Sequence, residues 1–260
     1  MSRELDCAIR AAKKAGKILV KSYATRGGEK KFKSEFDFAT EADHQAEEAI
    51  LKILEKKFPS YSILTEEGGA TERKSEYKWI IDPLDGTHNF AWGFPIWATA
   101  IALEKAGEIV AAAVSCPLQK EVYYSEKGKG VFLNKKKIRV SDRKFPHCMI
   151  SIGGIGHRTS EPLIKQAVEP ILDKFHHDMR ILGSSVFATC SVAAGNLDAF
   201  ATFNQKPWDT ATGLLFVKEA GGRATDMKGE VTDAYAKNFI FSNGLVHDEI
   251  LKAINSTNGS

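Results

Sequence analysis

The chain has few cysteines, and their placement excludes two common kinds of site. Its 260 residues include four cysteines, which stand far apart and form no Cys-x-x-Cys pair. A zinc ribbon or a redox-active dithiol needs closely spaced thiols, so neither is expected. Because their neighbours are mainly apolar or small, the four thiols are predicted to be buried and reduced.

The sequence also lacks a long apolar run and a large net charge. The first twenty residues hold no apolar stretch long enough for export or for crossing a membrane. The formal net charge is +3, which is too small to indicate nucleic acid or an anionic membrane as the main partner. We therefore expect a cytoplasmic protein that binds neither nucleic acid nor a membrane.

Two catalytic signatures are missing as well. No Gly-x-x-x-x-Gly-Lys-Ser/Thr loop occurs, so ATP use is not expected, and no Gly-x-Ser-x-Gly elbow occurs, which disfavours a serine hydrolase. Neither a nucleotide-binding loop nor a nucleophilic serine is therefore the expected centre of the chemistry.

The first half of the chain is predicted to contain two helices and then strands. Apolar and small residues recur at helical spacing over 3–24 and Glu41–Lys57, and Thr40 is a predicted N-terminal cap of the second helix. A polar loop is expected between these helices. Short buried strands follow, and a β-meander with glycine turns runs from Trp97 to about Val140.

After about residue 146 the predicted strands and helices alternate, which indicates a layered α/β architecture. No linker or repeat divides the chain. We expect one unit with two halves, residues 1–145 and residues 146–260. The predicted elements of both halves after the second helix are strands at 61–65, 77–81, 97–105, 108–116, 121–126, 131–133, 149–152, 197–203 and 239–242, and helices at 162–175, 184–194, 210–220 and 247–254.

The strongest chemical signal is the segment from Trp79 to Phe90. An apolar strand ends in Asp82 and Asp85, and Pro83 stiffens the turn between these carboxylates. Gly86 allows close approach of a ligand, and a helix that starts at Thr87 would leave backbone N–H groups free for an anion such as phosphate. A divalent cation removes the repulsion between carboxylates and phosphate, so the pairing indicates metal-assisted phosphoryl transfer.

Two more acidic positions support this interpretation. Glu66 follows a predicted strand, and Asp209 stands at a predicted helix start after Pro207 and Trp208. Carboxylate oxygens without histidine or cysteine nearby suit Mg²⁺ rather than zinc. Without a cation, such a cluster would suffer mutual repulsion and raised pKa values.

These segments resemble the signatures of the inositol monophosphatase family. The similar stretches are Glu66-Glu67, Asp82-Pro-Leu-Asp-Gly-Thr-His-Asn-Phe90, Pro207-Trp-Asp-Thr-Ala-Thr-Gly213 and Glu219-Ala-Gly-Gly222. The resemblance extends over nearly the whole chain. It implies an α/β/α/β/α five-layer sandwich and a lithium-sensitive, Mg²⁺-dependent phosphatase that is a homodimer or a tetramer.

The resemblance also implies ligands for the metal. Glu66, Asp82 and the Leu84 carbonyl would hold one Mg²⁺, and Asp82, Asp85 and Asp209 would hold a second. The loop Gly27–Ser34, which includes Lys33, matches a mobile loop that closes over the site and assists a third, weaker metal.

Further roles follow for the reacting groups. Thr87 paired with Asp43 would orient the attacking water, which Glu66 would also contact, while the N–H groups of Gly86 and Thr87 would bind phosphate. Asp85 and Asp209 would also contact the substrate. Gly183, Ser184 and Ser185 match the segment that touches the substrate's hydroxyl groups.

One position departs from the family pattern. Animal members have a glutamate that contacts inositol where this chain has Thr202, and a threonine cannot accept hydrogen bonds as a carboxylate does. Myo-inositol 1-phosphate is the first expected substrate, and hydrolysis by metal-activated water is the expected reaction. Fructose 1,6-bisphosphatase activity, adenosine 3′,5′-bisphosphate nucleotidase activity, histidinol phosphatase activity and a non-catalytic regulatory role remain alternatives.

Overall fold

The computed structural model describes residues 1–23, 30–34, 37–155 and 162–255, and of residues 30–34, 37–39 and 162–166 it describes the backbone only. Within these stretches the α-helices are Arg3–Tyr23 (α1), Glu41–Lys57 (α2), Thr87–Trp92 (α3), Pro162–Phe175 (α4), Ser185–Ala193 (α5), Pro207–Glu219 (α6) and His247–Asn255 (α7). The strands are Lys30–Ser34 (β1), Asp37–Thr40 (β2), Ser62–Thr65 (β3), Gly69–Thr71 (β4), Tyr77–Asp85 (β5), Ala98–Lys105 (β6), Glu108–Cys116 (β7), Glu121–Glu126 (β8), Val131–Leu133 (β9), Lys136–Ile138 (β10), Ile150–Gly153 (β11), Met179–Arg180 (β12), Ala199–Thr202 (β13), Arg223–Thr225 (β14) and Phe239–Ser242 (β15).

The larger sheet has eight strands in the order β10-β9-β8-β7-β6-β5-β3-β4. The strands from β5 to β10 form antiparallel neighbours, whereas β3 is parallel to β5. Helices α1 and α2 pack on each other and on one face of this sheet. The strand that contains both motif aspartates, β5, is therefore an interior strand covered by helices.

The smaller sheet has five strands in the order β12-β11-β13-β15-β14. Helices α5 and α6 lie between the two sheets and contact both of them. Helices α4 and α7 contact each other and cover the outer face of the smaller sheet. The N-terminal ends of α5 and α6 can thus reach the end of β5, and this arrangement positions the candidate site.

Alternating strand side chains separate the interior into three hydrophobic cores. In β5, Ile80 packs toward α5 and α6, while Trp79 and Ile81 pack toward α1 and α2. In β13, Phe200 faces the central core, and Ala199 faces α4 and α7. Because successive side chains of a strand point to opposite faces, each sheet is buried on both sides. The layers follow as helix, sheet, helix, sheet, helix, which confirms the predicted five-layer α/β sandwich.

Most predicted elements are present, and the differences have local causes. The polar loop predicted between α1 and α2 contains the hairpin of β1 and β2. Four short strands, β4, β10, β12 and β14, have only two or three residues, too few to show a period of two. Helix α6 begins at Pro207 rather than Thr210, because proline is well tolerated in the first helical turn.

Two expectations from composition can also be compared with the structure. All four cysteines are free and buried, as predicted. Among the described residues, no helix combines the length and the apolar character that crossing a membrane requires. The division into residues 1–145 and 146–260 stays a prediction.

Candidate metal centre

Asp82 and Asp85 lie where β5 interrupts its pairing with β6. The regular register between the strands ends at Asp82 and resumes at Asp85. Pro83 has no N–H to donate to the ladder, and its carbonyl accepts a hydrogen bond of 2.9 Å from the Thr99 hydroxyl. Irregular pairing of this kind redirects side chains. Both aspartates are buried at this bend, with 1% and 7% of their surfaces exposed.

Helix α6 brings a third aspartate to the same point. The Asp209 carboxylate accepts a hydrogen bond of 2.7 Å from the Lys206 N–H, which holds the side chain at the helix start. Carboxylate oxygens of Asp82, Asp85 and Asp209 all lie within 4.8 Å of one another. Three oxygen donors at this spacing fit a hard divalent cation such as Mg²⁺. The structure therefore brings together residues that are separated by more than 120 positions.

Glu66 and Leu84 lie beside this cluster. Glu66 follows β3, and its N–H donates to the Ile81 carbonyl at 3.3 Å, so the glutamate is next to the end of β5. The Glu66 carboxylate is outside the group of three converging carboxylates, although its charge raises the pKa of Asp82. The Leu84 N–H donates to Asp82 at 3.0 Å, and this contact orients the Asp82 carboxylate.

Asp43 and Thr87 form the predicted pair next to the bend. The Thr87 Oγ1 lies 3.2 Å from an Asp43 carboxylate oxygen and 3.0 Å from the Leu84 carbonyl oxygen. The other Asp43 oxygen accepts hydrogen bonds from the Thr40 N–H, at 2.8 Å, and from the Thr40 hydroxyl. Thr40, the predicted cap of α2, and Asp43 thus form a capping box at the start of the helix. It fixes the aspartate so that the carboxylate faces Thr87.

The carboxylate of Asp85 lies at the N-terminus of α5. It accepts hydrogen bonds from the Ser184 hydroxyl, from the Ser185 N–H at 3.1 Å and from the Val186 N–H at 3.0 Å. Ser184 also caps α5, because its Oγ accepts the Phe187 N–H. The first N–H groups of a helix favour a negative charge. Helix α5 therefore holds Asp85 in place and partly offsets its burial.

Asp82, Asp85 and Asp43 have raised pKa values, for reasons that can be separated. Burial is the largest cause for Asp82, followed by the negative charges of Glu66, Asp85 and Asp209, and together they raise its pKa well above the usual value. Burial also raises the pKa of Asp85 to about 6, against the lowering effect of its hydrogen bonds to α5. The pKa of Asp43 is raised by burial to about 6, with its bonds to Thr40 opposing the shift. A cation would relieve this strain.

Two glycines are required at the rim of the cluster. Gly86 has φ +87°, and a Cβ there would lie 3.0 Å from the Ile96 carbonyl oxygen. Gly183 has φ +69°, and a Cβ there would lie 3.0 Å from the Asn89 side chain. A side chain at either position would therefore crowd its neighbours, and both positions require glycine. Gly86 directly precedes α3, where the N–H groups of Gly86 and Thr87 begin the helix.

Three of the predicted site residues are less clearly placed. Ser185 is half-buried in the first turn of α5, and only its N–H has a described hydrogen bond. Thr202 is completely buried in β13, and its hydroxyl has no hydrogen-bond partner in the described part of the chain. The backbone of Lys33 lies in β1, but its side chain and residues 27–29 of the loop Gly27–Ser34 lie outside the described residues. Their substrate and metal roles stay predictions.

Sequence reasoning gave Ser184 a different role and missed Asn89. Ser184 was expected to touch substrate, yet its hydroxyl is donated to Asp85. Asn89 received no role, yet it bonds to the segment that precedes Ser184. Both contacts join positions about 90 to 100 residues apart, so no local pattern marks them. The one available signal was the position of Asn89 inside the long aspartate motif.

Comparisons with known proteins agree with this geometry. Residues 1–258 match the model of the inositol monophosphatase family. A fructose-1,6-bisphosphatase/inositol-1-monophosphatase of Thermotoga maritima is 38% identical over 252 residues, covering 96% of this chain and 95% of the relative. A protein of Pasteurella multocida named Nus factor SuhB is 35% identical over 238 residues, covering 88% and 87%.

A solved structure has the same fold over nearly the whole chain. The extragenic suppressor protein SuhB of Bartonella henselae superposes with a TM-score of 0.92 at 33% identity, over 97% of this chain and 98% of that chain. The fold, the converging aspartates and the match over nearly the whole length agree with one another. The chain belongs to the inositol monophosphatase family, whose members are in general Mg²⁺-dependent phosphatases.

Proposed function

We propose that this protein is a Mg²⁺-dependent phosphatase that hydrolyses phosphate monoesters of small polyols, with myo-inositol 1-phosphate as its first substrate. The observation that carries the proposal is the convergence of Asp82, Asp85 and Asp209 within 4.8 Å. Carboxylates this close together repel one another, and a cation between them removes the repulsion. Within the described part of the chain, the possible metal ligands in this group are carboxylate oxygens, as Mg²⁺ prefers.

Two ions are proposed to bind per subunit. Glu66, Asp82 and the Leu84 carbonyl would hold one, and Asp82, Asp85 and Asp209 would hold the other. A third, weaker ion would depend on the loop that contains Lys33. When bound, Mg²⁺ lowers the pKa of a coordinated water and stabilises negative charge on phosphate. The protein's own contribution is the placement of the ligands, which hydrogen bonds from Leu84 and α5 support.

The groups around the cluster would then act on water and phosphate. Thr87 and Asp43 would orient the attacking water and accept its proton, with Glu66 as a further contact. Their hydrogen bond of 3.2 Å supports a shared role. The N–H groups of Gly86 and Thr87 would bind phosphate oxygens, because the first N–H groups of a helix have no partner within it. No covalent enzyme intermediate is required.

Substrate choice would depend on Gly183, Ser184, Ser185 and Thr202. The Thermotoga maritima relative has fructose 1,6-bisphosphatase in its name. This chain also lacks a carboxylate at Thr202, where a glutamate would favour inositol. These observations favour fructose 1,6-bisphosphate as a second substrate of the same site.

Other properties are proposed from the family. The protein would be cytoplasmic and would form a homodimer or a tetramer, which light scattering on the purified chain would measure. Relatives named Nus factor SuhB keep open a regulatory role that does not require catalysis. Phosphate release on any monoester would exclude regulation as the only role.

The test is phosphate release by the purified protein from a substrate panel, measured with Mg²⁺ and after its removal by a chelator. The panel contains myo-inositol 1-phosphate, fructose 1,6-bisphosphate, adenosine 3′,5′-bisphosphate and histidinol phosphate. Comparison at equal concentrations ranks the substrates. We expect turnover of the first two only, with activity lost in chelator and restored by Mg²⁺.

The matched variants are Asp209→Asn and Asp248→Asn. Both variants change an aspartate in the first turn of a helix. Asp248, however, is an exposed residue of α7 that forms an ion pair with Arg223. We expect Asp209→Asn to fold and to lose about 100-fold or more in turnover, since charge stabilisation by metal contributes several kcal/mol. Asp248→Asn should stay near wild type. Equal turnover of the two variants would contradict the proposal.

A further inference from the structure

Asn89 joins two distant backbone segments beside the candidate site. It lies in α3, and its Nδ2 donates to the Ile96 carbonyl at 2.7 Å and to the Leu182 carbonyl at 2.8 Å. A side-chain amide nitrogen has two hydrogens, so these bonds use its full donor capacity. Ile96 follows α3, whereas Leu182 precedes α5. The amide therefore attaches the approach to α5 to the segment that contains the aspartate motif.

The contact at Asn89 is packed as well as hydrogen-bonded. A Cβ at Gly183 would lie 3.0 Å from Asn89 Oδ1, so the backbone at Gly183 lies directly against the amide. On the other side, a Cβ at Gly86 would lie 3.2 Å from the Ser184 Cβ. The segment 182–184 is thus enclosed between α3 and the bend that follows β5. Its position depends on the groups on both sides.

The enclosed segment ends in the groups that hold Asp85. Ser184 donates its hydroxyl to the Asp85 carboxylate, and the next two N–H groups bind the same carboxylate. The described hydrogen bonds to the Asp85 carboxylate come from Ser184, Ser185 and Val186, the residues directly after 182–183. Any shift of this segment would therefore move the donors away from Asp85.

We propose that Asn89 is a positioning residue for Asp85 and thereby for the metal ion. It acts through the carbonyl of Leu182 and through Ser184, without contacting substrate or metal itself. The proposal rests on the proposed function for the identity of the ion. Partners of metal ligands usually change metal affinity by about 10- to 100-fold when they are removed. We expect a change of that order at Asn89.

The first test compares Asn89→Asp with Asn134→Asp. Each substitution keeps the shape of the side chain and removes its NH₂ group. Asn134 also joins two backbone groups, accepting from Val122 and donating to Lys120, in a hairpin remote from the aspartates. Its φ of +47° is tolerated by both asparagine and aspartate. The readout is Mg²⁺ affinity by calorimetry, and it does not require activity.

We expect Asn89→Asp to weaken Mg²⁺ binding about tenfold or more and Asn134→Asp to leave it unchanged. Asn89→Ser is a second variant, with one remaining donor and no added charge, and it should show a smaller loss. If Asn89→Asp does not fold, the comparison of Asn89→Ser with wild type decides. Folded Asn89 variants with wild-type Mg²⁺ affinity, whatever their thermal stability, would overturn the proposal.

A double-mutant cycle tests the route through Ser184. Asn89→Ser and Ser184→Ala should each weaken Mg²⁺ binding, and the double variant should lose much less than the product of the two effects. Independent effects would show that Asn89 does not act through Ser184 and would overturn that step. If the wild-type protein binds Mg²⁺ without hydrolysing any monoester, the proposed function fails, while the positioning role of Asn89 is still measured.

Discussion

Replacing Asp43 by asparagine should stabilise the metal-free protein at neutral pH and also impair catalysis. Asp43 is 1% exposed, and burial raises its pKa from the usual 3.8 to about 6. Ionised Asp43 is therefore less favourable in the folded chain than in the unfolded chain. Asparagine has nearly the same shape, and its side-chain oxygen can still accept from Thr40. The substitution removes the unfavourable charge.

The sign and size of the effect follow from the raised pKa. The folded state binds a proton more tightly than the unfolded state, so the contribution to stability is present below pH 3.8 and is lost as pH rises through 6. The loss amounts to about 1 kcal/mol at pH 4.5 and about 3 kcal/mol at pH 7.5. Weaker hydrogen bonds from Thr40 to a neutral oxygen reduce the gain by about 1 kcal/mol. A net gain of about 2 kcal/mol at pH 7.5 remains.

Thermal unfolding in the presence of a chelator measures this effect. A gain of about 2 kcal/mol should raise the Tm of Asp43→Asn by about 4–8 °C at pH 7.5, and the difference should nearly vanish at pH 4.5. Asp248→Asn is the control, since its aspartate is exposed and forms an ion pair with Arg223. That control should show no stabilisation at either pH. Phosphate release should fall at least tenfold in Asp43→Asn, because Thr87 loses its charged partner.

One result would refute this reasoning. If Asp43→Asn were less stable than wild type at pH 7.5 without metal, the aspartate would be a net stabilising group and not a strained one. The same conclusion would follow if the difference between the two proteins were independent of pH. The position would then serve the fold, and its place beside Thr87 would not imply a function.

Three further predictions concern other parts of the chain. Burial lowers the pKa of His247 to about 4 from its usual 6.5. The contribution of His247 to folding stability is therefore present above pH 6.5 and is lost as the pH falls toward 4. In urea titrations, His247→Gln should reduce this acid-induced loss of stability by about 3 kcal/mol. Gly86→Ala should lower both stability, by about 1–3 kcal/mol, and turnover, since its Cβ would lie 3.0 Å from the Ile96 carbonyl; unchanged kinetics would contradict this. Glu219→Gln, which weakens two backbone hydrogen bonds of 2.7 Å at the turn between β8 and β9, should lower the Tm by several degrees and leave the KM for Mg²⁺ unchanged.

Local sequence was sufficient for the elements that have a strong pattern. The bounds of α2 and α4 agree with those predicted, and α2 has both a periodic apolar face and a capping signal at Thr40. The apolar run before Asp82 indicated a buried strand ending at the motif. The β1–β2 hairpin lies in a stretch rich in charged residues, where pairing depends on the partner strand rather than on apolar spacing.

The sequence indicated which residues belong to the candidate site, but not the contacts that hold Asp85. Asp82, Asp85 and Asp209 each follow a strand or begin a helix, and these positions can be recognised one at a time. Helix α5 holds Asp85 because the helix packs between the two sheets. The hydrogen bonds join residues that are 99 to 101 positions apart in the sequence. The family resemblance marked Ser184 only as a residue expected to touch the substrate. The cap and the support of Asp85 turn out to be the same hydroxyl.

The helix starts explain how the fold tolerates so many buried acids. Asp43 in α2 and Asp209 in α6 occupy the same place in their helices, and each accepts the N–H of the residue three positions earlier. Asp85 instead accepts the first N–H groups of α5. Such contacts each favour a carboxylate by about 0.3–2 kcal/mol. Burial and repulsion still raise the pKa values of Asp43, Asp82 and Asp85, so the helices offset only part of the unfavourable energy. The unfavourable energy that remains is relieved when a cation binds, and it therefore favours cation binding.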